Sequence, residues 1–247
     1  MADNEPALAE SVPQPPIEQQ DTMTLDDQFA ARLRGFGPIG IVAILVILLT
    51  GNVFIGKVIV PVGAVLVLVW MKWSRTPWRK IGYVQPRSWV VTVAAGCAFG
   101  IALKFLLKAI VMPLLGADPI NHAFHYWVGN RAILPAAVWI CLVAGFAEET
   151  IFRGYGFERM GKLLGRSARA KTLMVLVTSV LFGLAHYQLQ GLAGTEQAAI
   201  VGLVFGSIFA CTGQIWMLMF AHTAFDLTAL VLIYSNLETR VAHLVFR

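Results

Sequence analysis

Long apolar stretches separated by short polar connections dominate this chain after residue 35. Seven such stretches occur, at residues 36–50, 53–73, 89–115, 133–153, 172–186, 197–212 and 215–234. Most approach the ~20 residues that an α-helix needs to cross the hydrocarbon core of a bilayer, and the shorter ones are marginal. The pattern predicts an all-α fold, a polytopic transmembrane bundle of about seven helices, with a range of six to eight.

Composition agrees with this pattern. Of the 247 residues, 57% are hydrophobic and only 13% are charged, and the mean hydropathy is +0.70. Those values lie outside the range of soluble domains. The excess of basic residues is explained by anchoring to anionic lipid, so we expect membrane lipid as a partner and no nucleic acid. The oligomeric state is not indicated.

The first 31 residues differ from the rest of the chain. They hold seven of the 14 acidic residues and four prolines, a composition typical of a disordered tail. We therefore divide the chain into a disordered tail at 1–35, N-terminal transmembrane helices at 36–130, a helical core with the candidate chemistry at 131–236, and a short C-terminal tail at 237–247.

Two connections are rich in cations, and they predict the orientation of the protein. Residues 73–87 contain Arg75, Arg79, Lys80 and Arg87 without an acidic residue, and residues 159–171 are similarly basic. The positive-inside rule places both in the cytoplasm. Because two crossings precede the first connection, the N-terminus is also predicted to be cytoplasmic. We expect a multi-pass protein of a bacterial cytoplasmic (inner) membrane.

The first candidate site is the pair Glu148-Glu149, which interrupts an apolar stretch and is followed by Arg153. Charges at membrane depth are costly and usually functional. In a helix Glu149 and Arg153 are four residues apart, the spacing of a favourable ion pair. Glu148 lies about 100° around the helix and lacks that partner. One carboxylate is therefore predicted to be structural, and Glu148 remains available as a general base.

A second candidate is His186, which ends an apolar helix four residues after Phe182. Taken alone, a hydrogen bond to a neighbouring carbonyl explains such a histidine equally well. If the flanking helices form a hairpin that turns near Ser167, however, Glu148 and His186 each lie 19 residues from the turn. That spacing is about 28 Å along each helix, so the two groups have matched depth and can share a water molecule.

His222 and Asp226 form the third candidate, one turn apart on the last apolar helix. An internal hydrogen-bonded pair used for packing is the alternative explanation. Lys104 and Lys108 are also four residues apart. We predict that they snorkel toward the outer interface or mark where the helix becomes wet, and we assign them no catalytic role.

These motifs, in this order and on separate helices, resemble the CAAX protease and bacteriocin-processing (CPBP, or Abi) family and are similar to type II CAAX prenyl proteases. The resemblance extends over residues 133–234, about 40% of the chain. It implies an α-helical intramembrane endopeptidase with an active site open toward the cytoplasm. A peptide or protein substrate is implied, including lipidated ones, since eukaryotic members remove the last three residues of prenylated CAAX proteins.

The resemblance also implies roles for individual residues. Glu148 would be the general base, with assistance from His186, and His222 and Asp226 would stabilise the oxyanion. Glu149, Arg153 and Phe182 would support the pocket. Many family members have Asn in place of Asp226, and an ionised carboxylate is a poor partner for an oxyanion. Asp226 is therefore protonated, or orients His222, or the oxyanion site is built differently.

Three alternatives remain open. Glu148, His186 and His222 could bind zinc in a metalloprotease, but the chain has no His-Glu-x-x-His helix, and glutamate with histidine can activate water unaided. We therefore expect no cofactor. A transporter would also bury such residues, yet no inverted repeat is visible. A non-catalytic membrane immunity or scaffold protein is disfavoured by the complete set of candidates. The physiological substrate is not indicated.

Overall fold

Helices account for almost all of the regular structure. A computed structural model describes residues 23–52 and 59–246, and these ranges contain no β-strand. The α-helices are α1 Leu25–Arg34, α2 Pro38–Asn52, α3 Ile59–Trp73, α4 Trp89–Leu106, α5 Met112–Leu114, α6 Leu134–Glu149, α7 Gly156–Leu164, α8 Ala168–Thr212, α9 Trp216–Tyr234 and α10 Glu238–Ala242. The predicted all-α polytopic bundle is confirmed. Each predicted apolar stretch, as far as it is described, falls on a helix.

Helix α8 folds back on itself at Gly191, whose φ of 62° and ψ of −159° are not helical. Small residues on the two sides of this point pack together. A Cβ on Gly202 would lie 2.9 Å from Cα of Ser179, and one on Gly183 would lie 3.0 Å from Cβ of Ala199. Because residues before and after Gly191 pair at similar separations from it, the two halves of α8 are antiparallel. The fifth and sixth predicted stretches are these two halves.

Several helices have the length and hydropathy to cross a membrane. Within the described ranges, four stretches qualify singly: Trp89–Leu114, Arg131–Leu164, Ala168–Thr212 and Trp216–Tyr234. Helices α1 and α2 meet at a bend of 56° and form a fifth candidate, while α3 is shorter. Since Ala168–Thr212 folds back at Gly191, its 45 residues provide two passes. The chain is an integral membrane protein.

Two π-helical segments, which the sequence pattern did not predict, extend α4 and α6. They comprise Leu107–Val111 and Thr150–Tyr155. Short π-helical segments inside α-helices are frequent at functional sites. The second segment begins directly after Glu149, so the register of α6 changes at the acidic pair.

The two basic connections lie at the same end of the bundle, where both contact the end of α1. Arg34 donates a hydrogen bond to the carbonyl of Ser74 at 2.7 Å, and its own carbonyl accepts one from Lys162 at 2.7 Å. This arrangement agrees with their common assignment to one side of the membrane, and the identity of that side remains a prediction. Of the predicted disordered tail at 1–35, residues 1–22 lie outside the described residues. Its last part instead forms α1.

Close packing of α9 against α4 and α6 brings the candidate residues together. A Cβ on Gly100 of α4 would lie 2.0 Å from the carbonyl oxygen of Ala221, and one on Gly145 of α6 would lie 2.3 Å from Oγ1 of Thr223. Glycines at these points let the helix backbones approach closely, as in other membrane helix pairs. Ala221 and Thr223 flank His222, so the same contacts direct His222 toward the end of α6.

Candidate active site

The predicted ion pair between Glu149 and Arg153 is present. Nη1 of Arg153 lies 2.9 Å from Oε1 of Glu149, and both side chains are buried, with exposed fractions of 1% and 0%. The guanidinium group also lies 4.5 Å from the ring centre of Phe182 and donates to the carbonyl of Gly202. Desolvation makes a buried pair costly unless its hydrogen bonds are well formed. The pair links the end of α6 to both halves of α8.

Glu149 also contacts a helix that the sequence pattern did not connect to it. Nδ1 of His222 donates a hydrogen bond to Oε1 of Glu149 at 2.8 Å. Glu149 therefore joins Arg153 of its own helical segment to His222 of α9. Helical spacing predicts contacts within one helix only. The contact between Glu149 and His222 was therefore not predictable from spacing, and only the order of the motifs pointed to it.

The other ring nitrogen of His222 faces two carboxylates. Nε2 lies 3.7 Å from Oε2 of Glu148 and 3.7 Å from Oδ2 of Asp226. A neutral imidazole that donates from Nδ1 can only accept at Nε2, and ionised carboxylates also only accept. Nε2 and the two carboxyl groups approach one another favourably when a proton is present, carried either by Nε2 or by one of the two carboxyl groups. The predicted placement of His222 and Asp226 on one face of a helix is confirmed by this geometry.

Glu148 is partly buried and makes fewer contacts than Glu149. Its Oε2 atom is inaccessible to solvent and makes no hydrogen bond with any side chain or backbone group in the described ranges. Glu149, by contrast, accepts from both Arg153 and His222. Oε2 of Glu149 also has no partner, so the two glutamates differ in that only Glu149 is held by an ion pair and a histidine, while Glu148 keeps the free carboxylate that a general base needs.

His186 contacts Phe182, whose ring also lies next to Arg153. Its Nδ1 donates to the carbonyl of Phe182 at 2.8 Å, which leaves Nε2 of a neutral ring as an acceptor. The rings of His186 and His222 lie 4.8 Å and 5.8 Å from that of Phe182. Asp226 interacts electrostatically with both His186 and Glu148. All four candidate residues therefore belong to one cluster.

The zinc alternative can be tested against this arrangement. Among the residues that the structure describes, no three His, Cys, Asp or Glu side chains are grouped so as to hold one metal ion. Nδ1 of His222 is bonded to Glu149 and Nδ1 of His186 to a backbone carbonyl, which leaves Nε2 of each ring as the nitrogen that could bind a metal. The set Glu148, His186 and His222 does not form such a group in the described ranges. A mechanism without metal remains a proposal.

Lys104 and Lys108 do not snorkel, contrary to one expectation from the sequence. They are 6% and 8% exposed, and each has a polar partner on another helix. Lys108 pairs with Glu238 of α10, with Nζ and Oε1 3.1 Å apart. Lys104 donates to Oε1 of Gln197 in α8 at 3.1 Å. These partners hold the ammonium groups inside the bundle, where both lysines line a cavity.

Comparison with protein families identifies the part of the chain that contains the cluster. Residues 130–228 match the model of a family described as type II CAAX prenyl endopeptidase, Rce1-like. Neither curated proteins nor solved structures gave a match. The matched range includes Glu148, His186, His222 and Asp226, and it reproduces the resemblance seen in the motifs. Residues 130–228 are therefore similar to the Rce1-like family of type II CAAX prenyl endopeptidases.

Proposed function

We propose that this protein is an intramembrane endopeptidase that hydrolyses a peptide bond with a water molecule activated by Glu148 and His186. The observation that carries the proposal is the position of Glu148. Its buried Oε2 has no hydrogen-bond partner in the described ranges and lies 3.7 Å from Nε2 of His222. Glu149, next to it, also has an Oε2 without a partner, but its Oε1 already accepts from Arg153 and His222.

Peptide hydrolysis requires three functions, and the cluster offers a group for each. Glu148 accepts a proton as the water oxygen bonds to the carbonyl carbon. Nε2 of His186, as an acceptor, holds and orients the water. Nε2 of His222, when it carries a proton, donates to the oxyanion. The proton on Glu148 then passes to the amide nitrogen as the C–N bond breaks, which yields a carboxylic acid and an amine.

Asp226 acts through His222 in this proposal. An ionised carboxylate cannot donate a hydrogen bond to an oxyanion, whereas Oδ2 of Asp226 lies 3.7 Å from Nε2 of His222. From that position it favours the proton on Nε2 and orients the ring. Glu149 does the same for Nδ1 on the other side of the ring. Both residues are therefore positioning residues, a role that carboxylates next to a functional histidine often have.

The substitution Glu148→Gln tests the proposal, since the amide keeps the shape of the side chain but cannot act as a base. Membranes that contain wild-type protein or Glu148→Gln at equal abundance are compared by mass spectrometry of peptide termini. We expect new cleavage termini with the wild type only. Glu196→Gln, outside the cluster, is the matched control and should retain them. Identical termini with wild type and Glu148→Gln would overturn the protease function.

A further inference from the structure

An open groove follows the outer face of α3 toward the first basic connection. It has a volume of about 490 Å³ and is lined by Val65, Leu68, Val69, Lys72 and Trp78. The four lining residues of α3 have the spacing of a single stripe along a helix. Because a helix rises 1.5 Å per residue, the stripe is about 10 Å long. The groove is therefore apolar over most of its length and has a cation at one end.

The groove lies at the opposite end of the bundle from the cavity lined by Lys104 and Lys108. That cavity borders the turn at Gly191, which is about 35 Å along α8 from the basic connection before Ala168. The groove instead ends where α3 ends, at Trp73, next to the first basic connection. None of the four candidate catalytic residues lines it, so it is also separate from the candidate active site.

Trp78 forms the wall of the groove at its basic end, and Tyr83 holds it there. The two rings lie 5.8 Å apart in an edge-to-face arrangement. The hydroxyl group of Tyr83 lies 2.7 Å from Oγ1 of Thr150, in the π-helical segment that follows α6. Trp78 itself remains 48% exposed. A tryptophan that packs on one side and is open on the other is typical of the level of the lipid headgroups in a bilayer.

The charges at this end of the groove are positive, and most of them have no acidic partner. Arg75 pairs with Asp27. Within the described ranges, Lys72, Arg79 and Lys80 form no ion pair with a carboxylate. All three are exposed, and Arg79 and Lys80 directly follow Trp78 in the chain. Basic clusters next to a membrane helix attract anionic lipid headgroups.

We propose that this groove binds one anionic phospholipid from the surrounding leaflet, with an acyl chain along Val65 and Val69 and the phosphate group at Lys72. Arg79 and Lys80 add positive charge around the headgroup. A phosphate ester that carries an apolar chain matches both ends of the groove, whereas a soluble anion would contact the cations alone and leave the apolar stripe in contact with other molecules. The proposal does not depend on the proposed protease function.

Native mass spectrometry of the full chain tests the proposal. The protein is titrated in detergent with phosphatidylglycerol, with phosphatidylcholine of the same acyl chains, and with glycerol phosphate. A charge-assisted hydrogen bond predicts that one phosphatidylglycerol binds about tenfold more tightly than phosphatidylcholine. Lys72→Gln should remove most of this preference, and Lys72→Arg should retain it. Val69→Trp fills the apolar part of the groove and should weaken the binding of both lipids.

Lys171→Gln is the matched control, since it removes an exposed lysine of the second basic connection at the same end of the bundle. It should keep the preference for phosphatidylglycerol. Equal affinity of the two lipids for the wild type would overturn the proposal, and so would an equal loss in Lys171→Gln and Lys72→Gln. Glycerol phosphate that binds as tightly as phosphatidylglycerol would assign the cations to a soluble anion. A dimer that excludes the lipid and is lost in Val69→Trp would assign the groove to a second copy of the chain.

Discussion

Nδ1 of His222 and Oε1 of Glu149 are 2.8 Å apart, so a histidine of α9 and a carboxylate of α6 form one buried unit. The same carboxylate oxygen accepts from Arg153. Arg153 and His222, from two different helical segments, thus depend on a single carboxylate. Because Glu148 is adjacent in sequence, the position of the proposed base depends on this unit as well.

Removal of Arg153 should destabilise the protein strongly. Arg153→Met leaves Glu149 buried without its guanidinium partner, and loss of one partner of a buried pair typically costs about 3–5 kcal/mol of the free energy of unfolding. Thermal unfolding in detergent measures the change. The double variant Glu149→Leu with Arg153→Met should be less destabilised than Arg153→Met alone. A double variant that is clearly less stable than the single one would contradict this account of the pair.

Substitution at Asp226 distinguishes two possible roles of this residue, the positioning of His222 and direct action as an acid or a base. Asp226→Asn retains a group that can hydrogen-bond to His222, so we expect kcat to stay within about tenfold of wild type, whereas Asp226→Leu should lose about 10²-fold or more. Rates are measured on a peptide identified from the cleavage termini. Equal loss in both variants would show that the carboxylate itself is required, either as an acid or as a base.

Chelation should leave activity unchanged, because the cluster does not group three metal ligands and the proposed mechanism needs only Glu148 and His186 to activate water. Metal content and cleavage are measured together on purified protein before and after treatment with a chelator. Stoichiometric zinc that is removed in parallel with activity, and that restores activity when added back, would overturn the mechanism without metal.

We also predict the side of the membrane on which the cavity opens. The charge pattern and the family resemblance give different expectations for that side. The basic connections should be cytoplasmic, which places the cavity at the other surface. The family resemblance implies a site open to the cytoplasm. We expect the charge rule to hold, so that a cysteine at Asp118, an exposed cavity residue, reacts with an impermeant thiol reagent added outside intact cells. Cys97, Cys141 and Cys211 are first replaced.

A cysteine at Arg166, in the second basic connection, is the matched control for that labelling. It should react only after the cells are permeabilised. The opposite result, with Arg166 labelled from outside and Asp118 protected, would show that the cavity is cytoplasmic and that the charge pattern was misleading.

Sequence patterns were sufficient for contacts within a helix and insufficient for contacts between helices. The pair Glu149–Arg153 spans four residues and follows from helical periodicity. The bonds His222–Glu149, Lys104–Gln197 and Lys108–Glu238 join residues 73, 93 and 130 positions apart. Such pairs depend on which helix faces meet, and here glycine contacts decide that. Periodicity in one sequence carries no information about those contacts.

Lys104 and Lys108 show why the sequence pattern did not predict contacts between helices. Spacing alone places Lys104 and Lys108 on one face of α4 and its π-helical extension, but their partners come from α8 and α10. A lysine in an apolar segment is expected to reach the interface unless another segment supplies a buried acceptor. The prediction of snorkelling therefore failed at these positions because the acceptors are distant in sequence.

The fold-back at Gly191 has a consequence for how the protein enters the membrane. The two halves of α8 are joined by one residue with non-helical dihedral angles, without a polar loop. The insertion machinery therefore meets no hydrophilic loop between the two halves that would have to be translocated by itself. The two halves should therefore partition into the bilayer as a preassembled hairpin, and they carry His186 and the carbonyl partner of Arg153 into place in a single step.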